Sequence, residues 1–424
     1  MKISPARMAA FDALFAIETE RVFSSDVLPI YENGLTVIDS ALCHGIVLGV
    51  LRRQIYLDKL TDTFTKGKSL DAAVRIAIRL GLYQILFLDK VPDHAAINES
   101  VMLVQRAKKT SAKGFVNAIL RRATRETAEI SFDNETERIS IETSHPRWLV
   151  ERWIKEFGAA KAESISRANN DVPTSSFRSL KSVDTVNWKK SEHVEGAYLT
   201  DRINPELREF EASGEIYFQD EASQMAARAV IVPKTGKFLD VCASPGGKTG
   251  LIAVRYSNEL ALTVAGDISS RRVDFLRDNC IRQGVEDINI VQYDAETALP
   301  FADATFDTVF VDAPCSGTGT IRHNPEIRYF LEPDDFNRFA HKQRRILIQA
   351  SKMVKSGGLL IYSTCSLERE ENKDVIAGFL DSEPLFSIMR PEVPDKFIGD
   401  EGFARTWPHR DRMDGFFIAS LKRN

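Results

Sequence analysis

Cysteine is scarce in this chain, with five among 424 residues: Cys43, Cys242, Cys280, Cys315 and Cys365. The number is odd and no CxxC pair occurs, so neither a metal site nor a disulfide framework is suggested. A reducing, cytoplasmic setting is the expectation. Long apolar runs are missing too; none reaches the ~18 to 20 residues of a membrane span. An excess of positive charge is also absent. The net charge is −4, which argues against a uniformly basic nucleic-acid binder. No internal repeat or low-complexity tract stands out. The stretch MKISPARMAAFDALFAIETE carries acids within its apolar part and no small-residue cleavage site, so it reads as an amphipathic helix and not a secretory signal. What remains is an ordinary globular composition, 43% hydrophobic, at a length that accommodates two or three domains.

The hydrophobic pattern changes along the chain. Val74, Ala77, Ile78, Gly81, Leu82, Ile85 and Leu86 form an apolar stripe of helical period. Similar stripes lie near 5–20, 38–55, 95–107 and 112–125, so residues 1–135 predict an all-α domain. The segment 143–232 is mixed: HPRWLVERWIKEFG reads as a helix ended by Gly158, followed by a small α/β connecting subdomain. From Gly236 short β-type runs alternate with helices: KFLDVCA, LTVAGD, INIVQYD, DTVFVDA and GLLIYST. Such alternation predicts a parallel, doubly wound, Rossmann-like α/β domain over 233–424. The last run, GFFIASL, follows too closely for a crossover and is expected to pair antiparallel. Ligands on such sheets bind at the carboxyl ends of the strands.

Charge is unevenly spread. Between Val101 and Arg125 stand Arg106, Lys108, Lys109, Lys113, Arg121, Arg122 and Arg125, with no acid among them. A second cluster runs from His341 to Arg345. Taken alone, each reads as a solvated helix face.

The strand ends carry the chemistry. In DVCASPGGKT, Gly246 and Gly247 let the backbone approach a ligand and open a helix. The stretch differs from a phosphate-binding GxxxxGK[ST] loop by Cys242 in the place of the first glycine, and Pro245 also counts against a triphosphate cradle. Asp267, in AGDIS, is placed to accept hydrogen bonds from ribose hydroxyls, and a helix N-cap is compatible with that role. Asp294 ends the third strand and could contact an adenine amino group. Asp312 and Cys315 end the fourth, and Cys365 ends the fifth. If those two strands are neighbours, both thiols face one crevice. Lone buried cysteines are usually small hydrophobes, and that reading holds for Cys43 and Cys280.

Together DVCASPGGKT, GDIS, YDA, DAPCSGTGT, STCS and WPHRDRMDGFFIA resemble, in order, the motifs of the RNA cytosine-5 methyltransferases of the NOL1/NOP2/Sun group. The N-terminal stretches IRLGLYQILFLDKVPDHAAINESV and KGFVNAILRR resemble a NusB-like RNA-binding domain. The resemblance covers nearly the whole chain. TSSFRSLKSVD and GTIRHNPEI depart from the pattern and bear on target choice. The resemblance implies a class I methyltransferase that takes S-adenosylmethionine and methylates carbon-5 of a cytosine in small-subunit (16S) ribosomal RNA. It implies Cys365 as nucleophile, Cys315 as the residue that assists release, and Asp312 as hydrogen-bonding partner of the base. For the cofactor it implies Cys242, Ala243, Ser244, Pro245, Gly246, Gly247 and Lys248 with Asp267, Asp294 and Asp312. It also favours a phosphate-contacting role for Arg106, Lys108, Lys109, Lys113, Arg121 and Arg122. The expected partner is a single-stranded or flipped cytosine met by a monomer, with no membrane and no metal. Transfer RNA as substrate, a NusB-like assembly factor with an inactive methyltransferase domain, and a P-loop NTPase stand as alternatives.

Overall fold

The computed structural model describes residues 3–424 except 66, 68, 127, 128, 182–184, 186, 187 and 258. Residues 182–184 of the departing stretch TSSFRSLKSVD lie outside the described residues. The chain forms two compact units. The first comprises Met1–Asp171 with Ile321–Leu331, and the second Val172–Thr320 with Glu332–Asn424.

The first unit is helical: α1 (Pro5–Glu20), α2 (Ser24–Glu32), α3 (Val37–Thr65), α4 (Ala72–Phe87), α5 (Asp93–Arg106), α6 (Lys113–Ala123), α7 (Glu135–Thr143), α8 (Arg147–Phe157) and α9 (Ala159–Ala168). Pro5 opens α1, where a missing N–H costs nothing. The Asp71 side chain caps α4 by accepting from the Ala73 N–H. Val74, Ala77 and Ile78 of α4 are buried with Ile46 and Val50 of α3 and Leu120 of α6 in one core, which is the stripe legible in the sequence. The unit continues past residue 135, where the sequence pattern predicts an end, because α7 lies along α3. The Tyr56 N–H donates to Ser144 Oγ at 3.0 Å, and Lys59 pairs with Glu137 at 3.4 Å. Among the described residues no helix is long and apolar enough to cross a membrane.

The second unit begins with β1 (Ser175–Ser179), β2 (Lys189–Lys190), β3 (Ala197–Thr200), α10 (Pro205–Ala212) and β4 (Ile216–Phe218). Its strands form an antiparallel sheet in the order β2-β3-β1-β4. There follow α11 (Glu221–Arg228), β5 (Lys237–Asp240), α12 (Gly247–Arg255), β6 (Leu262–Asp267), α13 (Ser270–Arg282), β7 (Asn289–Gln292) and β8 (Phe306–Asp312). The chain then returns to the first unit with the short α14 (Ile327–Phe330). Back in the second unit come α15 (Asp335–Met353), β9 (Val354–Thr364), α16 (Lys373–Ser382), β10 (Phe386–Met389), β11 (Ala404–Arg405) and β12 (Phe417–Arg423). The large sheet runs β10-β12-β9-β8-β5-β6-β7, with β11 on β12. Strands β5 to β9 pair in parallel and β12 pairs antiparallel with β9, both as the sequence predicts. Asp312 stands opposite Ser363 in the β8–β9 register, so the loops after these strands leave the sheet side by side.

Candidate active site at the strand ends

After β5 the chain turns sharply into α12. Gly246 has φ +102, and a Cβ there would meet Leu276 Cδ1 at 3.0 Å and the Leu276 carbonyl at 3.3 Å. Only glycine adopts this turn without strain. The turn aims Lys248 at β8, where its Nζ lies 2.6 Å from Asp312 Oδ2. Asp312 Oδ1 accepts from Ser363 Oγ at 2.6 Å. Burial alone would lower the Lys248 pKa, but Asp312, with Cys365 and Asp240, turns the shift upward. The ammonium is therefore held in its charged form. The next residue of α12, Thr249, donates its Oγ1 hydrogen to Asp240 Oδ2 at 2.7 Å. The other Asp240 oxygen is buried without a partner, and burial, reinforced by Asp312 and Asp267, pushes this carboxyl up to about 7.

Asp267 ends β6. It accepts the N–H groups of Ser244 at 3.0 Å and Ile268 at 2.8 Å, and Arg272 Nε lies 2.7 Å away. Asp294 follows β7 and accepts the Glu296 N–H at 3.0 Å. At the ends of β8 and β9 the sulfurs of Cys315 and Cys365 are 3.3 Å apart and both residues are half-buried. The hydrogen bond with Cys365, then burial, pushes the Cys315 thiol well above its ordinary range. Burial does the same for Cys242, where nearby acids add to it. Cys43 and Cys280 are buried in apolar clusters, and burial pushes each up to about 12. They are packing residues.

A cavity of about 270 Å³ joins Cys242, Ser244, Asp267, Asp294, Asp312, Cys315 and Cys365. A neighbouring one of about 230 Å³ shares Cys242, Ser244 and Asp312 and adds Asp240, Ala243, Pro245, Gly247 and Lys248. The predicted catalytic and cofactor residues thus converge, apart from Gly246, which lines neither cavity and shapes the turn. A larger, open groove of about 790 Å³ around Gly214, Arg282 and Asp287 contains none of them.

Residues that the sequence pattern left unnoticed tie the two cysteine loops together. Glu371 is fully buried and accepts from Ser316 and Ser366, the residues that follow the two cysteines. Gln343 donates to Glu371 Oε2 at 2.9 Å and to the Pro314 carbonyl at 3.0 Å. A signal for it exists: Gln343 interrupts the α15 stripe of Phe336, Leu347 and Ala350, all buried. A polar side chain on an apolar stripe must find partners. Its neighbours in the HKQRR cluster face acids and carbonyls: Lys342 and Arg345 pair with Glu296, and Arg344 donates to the Gly378 carbonyl.

The six basic residues predicted to meet phosphates belong to the first unit. Arg106 pairs with Asp12 at 2.6 Å, Lys109 with Asp71 at 2.8 Å and Arg122 with Glu126 at 2.6 Å. Lys108, Lys113 and Arg121 make no ion pair among the described residues, and Arg121 is held by Asn117 at 3.1 Å.

Comparison with known proteins places the chain in a family. Residues 229–422 match the family model described as 16S rRNA methyltransferase RsmB/F, and residues 4–125 match the NusB family. The chain is 33% identical to the Bacillus subtilis protein named "Probable ribosomal RNA small subunit methyltransferase B", with 100% of each covered. It is 32% identical to ribosomal RNA small subunit methyltransferase B of Pseudomonas putida, with 98% of each covered. The crystal structure of PH0851 superposes with a TM-score of 0.83 at 26% identity, covering 100% of both chains.

Proposed function

The chain belongs to the ribosomal RNA small subunit methyltransferase B family, and from that premise we propose that it methylates carbon-5 of a cytosine in small-subunit ribosomal RNA through a cysteine–cytosine adduct. The enzyme acts as a cytoplasmic monomer. The observation that carries this reading is the contact of two thiols, 3.3 Å apart, beside the Lys248–Asp312 pair. A packing role explains neither their position at two adjacent strand ends nor their partial exposure to one cavity.

The residues present fit S-adenosylmethionine. A buried Asp240 oxygen lacks a partner, and Asp267, Asp294 and Asp312 line the cavity that the two thiols open onto, which suits a sulfonium charge. Asp267 takes the ribose hydroxyls, Asp294 the adenine side, and the loop from Cys242 to Lys248 the methionine part. When bound, S-adenosylmethionine supplies the methyl group.

The protein's own part begins with the Cys365 thiolate, which adds to carbon-6 of a cytosine flipped out of its stack. Electron density moves to carbon-5 as ring nitrogen 3 takes a proton. The proton comes from the Lys248 ammonium by way of the Asp312 carboxylate it touches, which passes it to nitrogen 3 and is left ionised beside a neutral Lys248 amine. After methylation a base removes the carbon-5 proton, nitrogen 3 returns its own, and the carbon–sulfur bond breaks to release the Cys365 thiolate. Cys315, in contact with Cys365, assists that release.

Tritiated S-adenosylmethionine with unmodified ribosomal and transfer RNA tests the proposal, with wild type beside Cys365→Ala and Cys315→Ala. We expect 5-methylcytosine in small-subunit RNA from the wild type only. Cys315→Ala accumulates a protein–RNA adduct that survives denaturing electrophoresis, and Cys365→Ala forms none. Full turnover by Cys365→Ala overturns the mechanism, and label confined to transfer RNA overturns the target.

A further inference from the structure

Glu371 sits where no solvent reaches it, yet its carboxyl group touches both cysteine loops. Oε2 accepts from the Ser316 N–H at 2.8 Å and from Gln343 Nε2 at 2.9 Å. Oε1 accepts from Ser366 Oγ at 2.6 Å and from Ser316 Oγ. Ser316 directly follows Cys315, and Ser366 directly follows Cys365. The two hydroxyls are themselves 3.1 Å apart. The loops also touch directly: the Gly319 N–H donates to the Cys365 carbonyl and the Leu367 N–H to Thr318 Oγ1, each at 2.9 Å, and Thr318 Oγ1 lies 3.4 Å from Ser366 Oγ.

A buried carboxylate is costly unless its lone pairs are filled, and four donors fill these. Two of them, an amide N–H and a carboxamide NH2, cannot reverse, so Oε2 carries no proton. The donors pull against the burial that pushes this carboxyl upward. Glu371 holds the Cys315 loop by two bonds, from the Ser316 N–H and Oγ, and the Cys365 loop by one, from Ser366 Oγ, and its charge helps to raise the Cys315 thiol.

We propose that Glu371 is the positioning residue of the two-cysteine step: its carboxylate clamps the loops so that the sulfurs stay in contact, and its charge keeps the shared proton on Cys315, leaving Cys365 as the thiolate. The second half rests on the reading of Cys365 as nucleophile given above. The clamp explains why two near-twin loops are not equivalent. The amide held by Glu371 and the Pro314 carbonyl held by Gln343 both belong to the Cys315 loop.

Alkylation with iodoacetamide, followed by mass spectrometry of the Cys315 and Cys365 peptides, reads which sulfur is ionised, because only the thiolate displaces iodide. It does so without RNA or methyl transfer, so its failure is distinct from failure of the proposed reaction. In the wild type Cys365 is expected to react about tenfold faster or more, since the rate follows the thiolate fraction. Glu371→Gln keeps a clamp: its oxygen takes the two fixed donors and its NH2 faces the two serine hydroxyls, which can turn to accept. Its loss of charge should bring the two rates within about threefold of each other, with cofactor affinity held. Glu371→Ala removes clamp and charge, and placed in the Cys315→Ala background it should lower the yield of trapped protein–RNA adduct about a hundredfold. Faster labelling of Cys315 in the wild type, a measurement that needs no variant, overturns the proposal. So does an unchanged ratio in Glu371→Gln.

Discussion

Asp240 is the clearest case of a single residue shaped by its surroundings. It ends β5 with one oxygen on Thr249 and the other unpartnered, and its carboxyl is pushed from 3.8 up to about 7. Between those values the folded chain holds a proton that the unfolded chain releases. The stability this group contributes is therefore full below about pH 4 and lost as pH rises through about 7. Asp240→Asn has no such proton. The urea stability of wild type minus that of Asp240→Asn should fall between about pH 5 and 7, by up to roughly 1.4 kcal/mol per pH unit. A difference that stays flat over that window removes Asp240 as the titrating group. Much of the site's composition at this scale is legible in the sequence, because strand-end residues such as Asp267, Asp312 and Cys315 follow unbroken β-type runs. Glu371 is not, since STCSLEREEN offers Glu368, Glu370 and Glu371 alike and only the fold sorts them.

Elements with a strong period are the ones the sequence places well. α1, α4 and β8 fall where the apolar pattern predicts them, since burial on one face or both is what the pattern encodes. The segment 321–331 has no such pattern. It follows the Cys315 loop yet belongs to the helical unit, where Glu326 accepts from Ser24, Tyr329 donates to the Leu51 carbonyl, and Arg328 makes the largest set of bonds. Arg328 is fully buried; it donates to Asn170 Oδ1 at 2.9 Å and to the carbonyls of Pro325, Thr143, Asn169 and Ser144 at 3.1 to 3.3 Å. Burial lowers its pKa to about 10, so the charge persists at neutral pH. Arg328→Met takes a common donor from several buried acceptors and should cost about 3 kcal/mol or more in urea unfolding. Arg328→Lys should recover less than half of that loss, because one ammonium cannot reach both ends of the guanidinium's span. Equal stability of the wild type and Arg328→Met removes the anchor role.

Over the whole molecule, a net charge of −4 conceals a division of labour. The chain crosses between its units three times, and no composition change marks the crossings. Acids gather at the strand ends of one unit and unpaired cations on α6 and its approach in the other. Lys108, Lys113, Arg121 and Arg125 form no ion pair among the described residues, whereas Arg106, Lys109 and Arg122 do. A cation already paired has less to gain from a phosphate. Replacing the four unpaired residues by alanine should therefore weaken RNA binding and flatten log Kobs against log salt by roughly 3, at about 0.7 per lost phosphate contact on a single strand. The triple variant of the paired residues should change that slope by about 1 or less. Single-turnover methyl transfer at saturating RNA should be the same in both variants and the wild type, because neither set touches the thiols. A slope unchanged by the quadruple variant would leave these cations as a solvated face. A fall in the single-turnover rate would assign the helical unit a part in the chemistry as well as in holding the RNA.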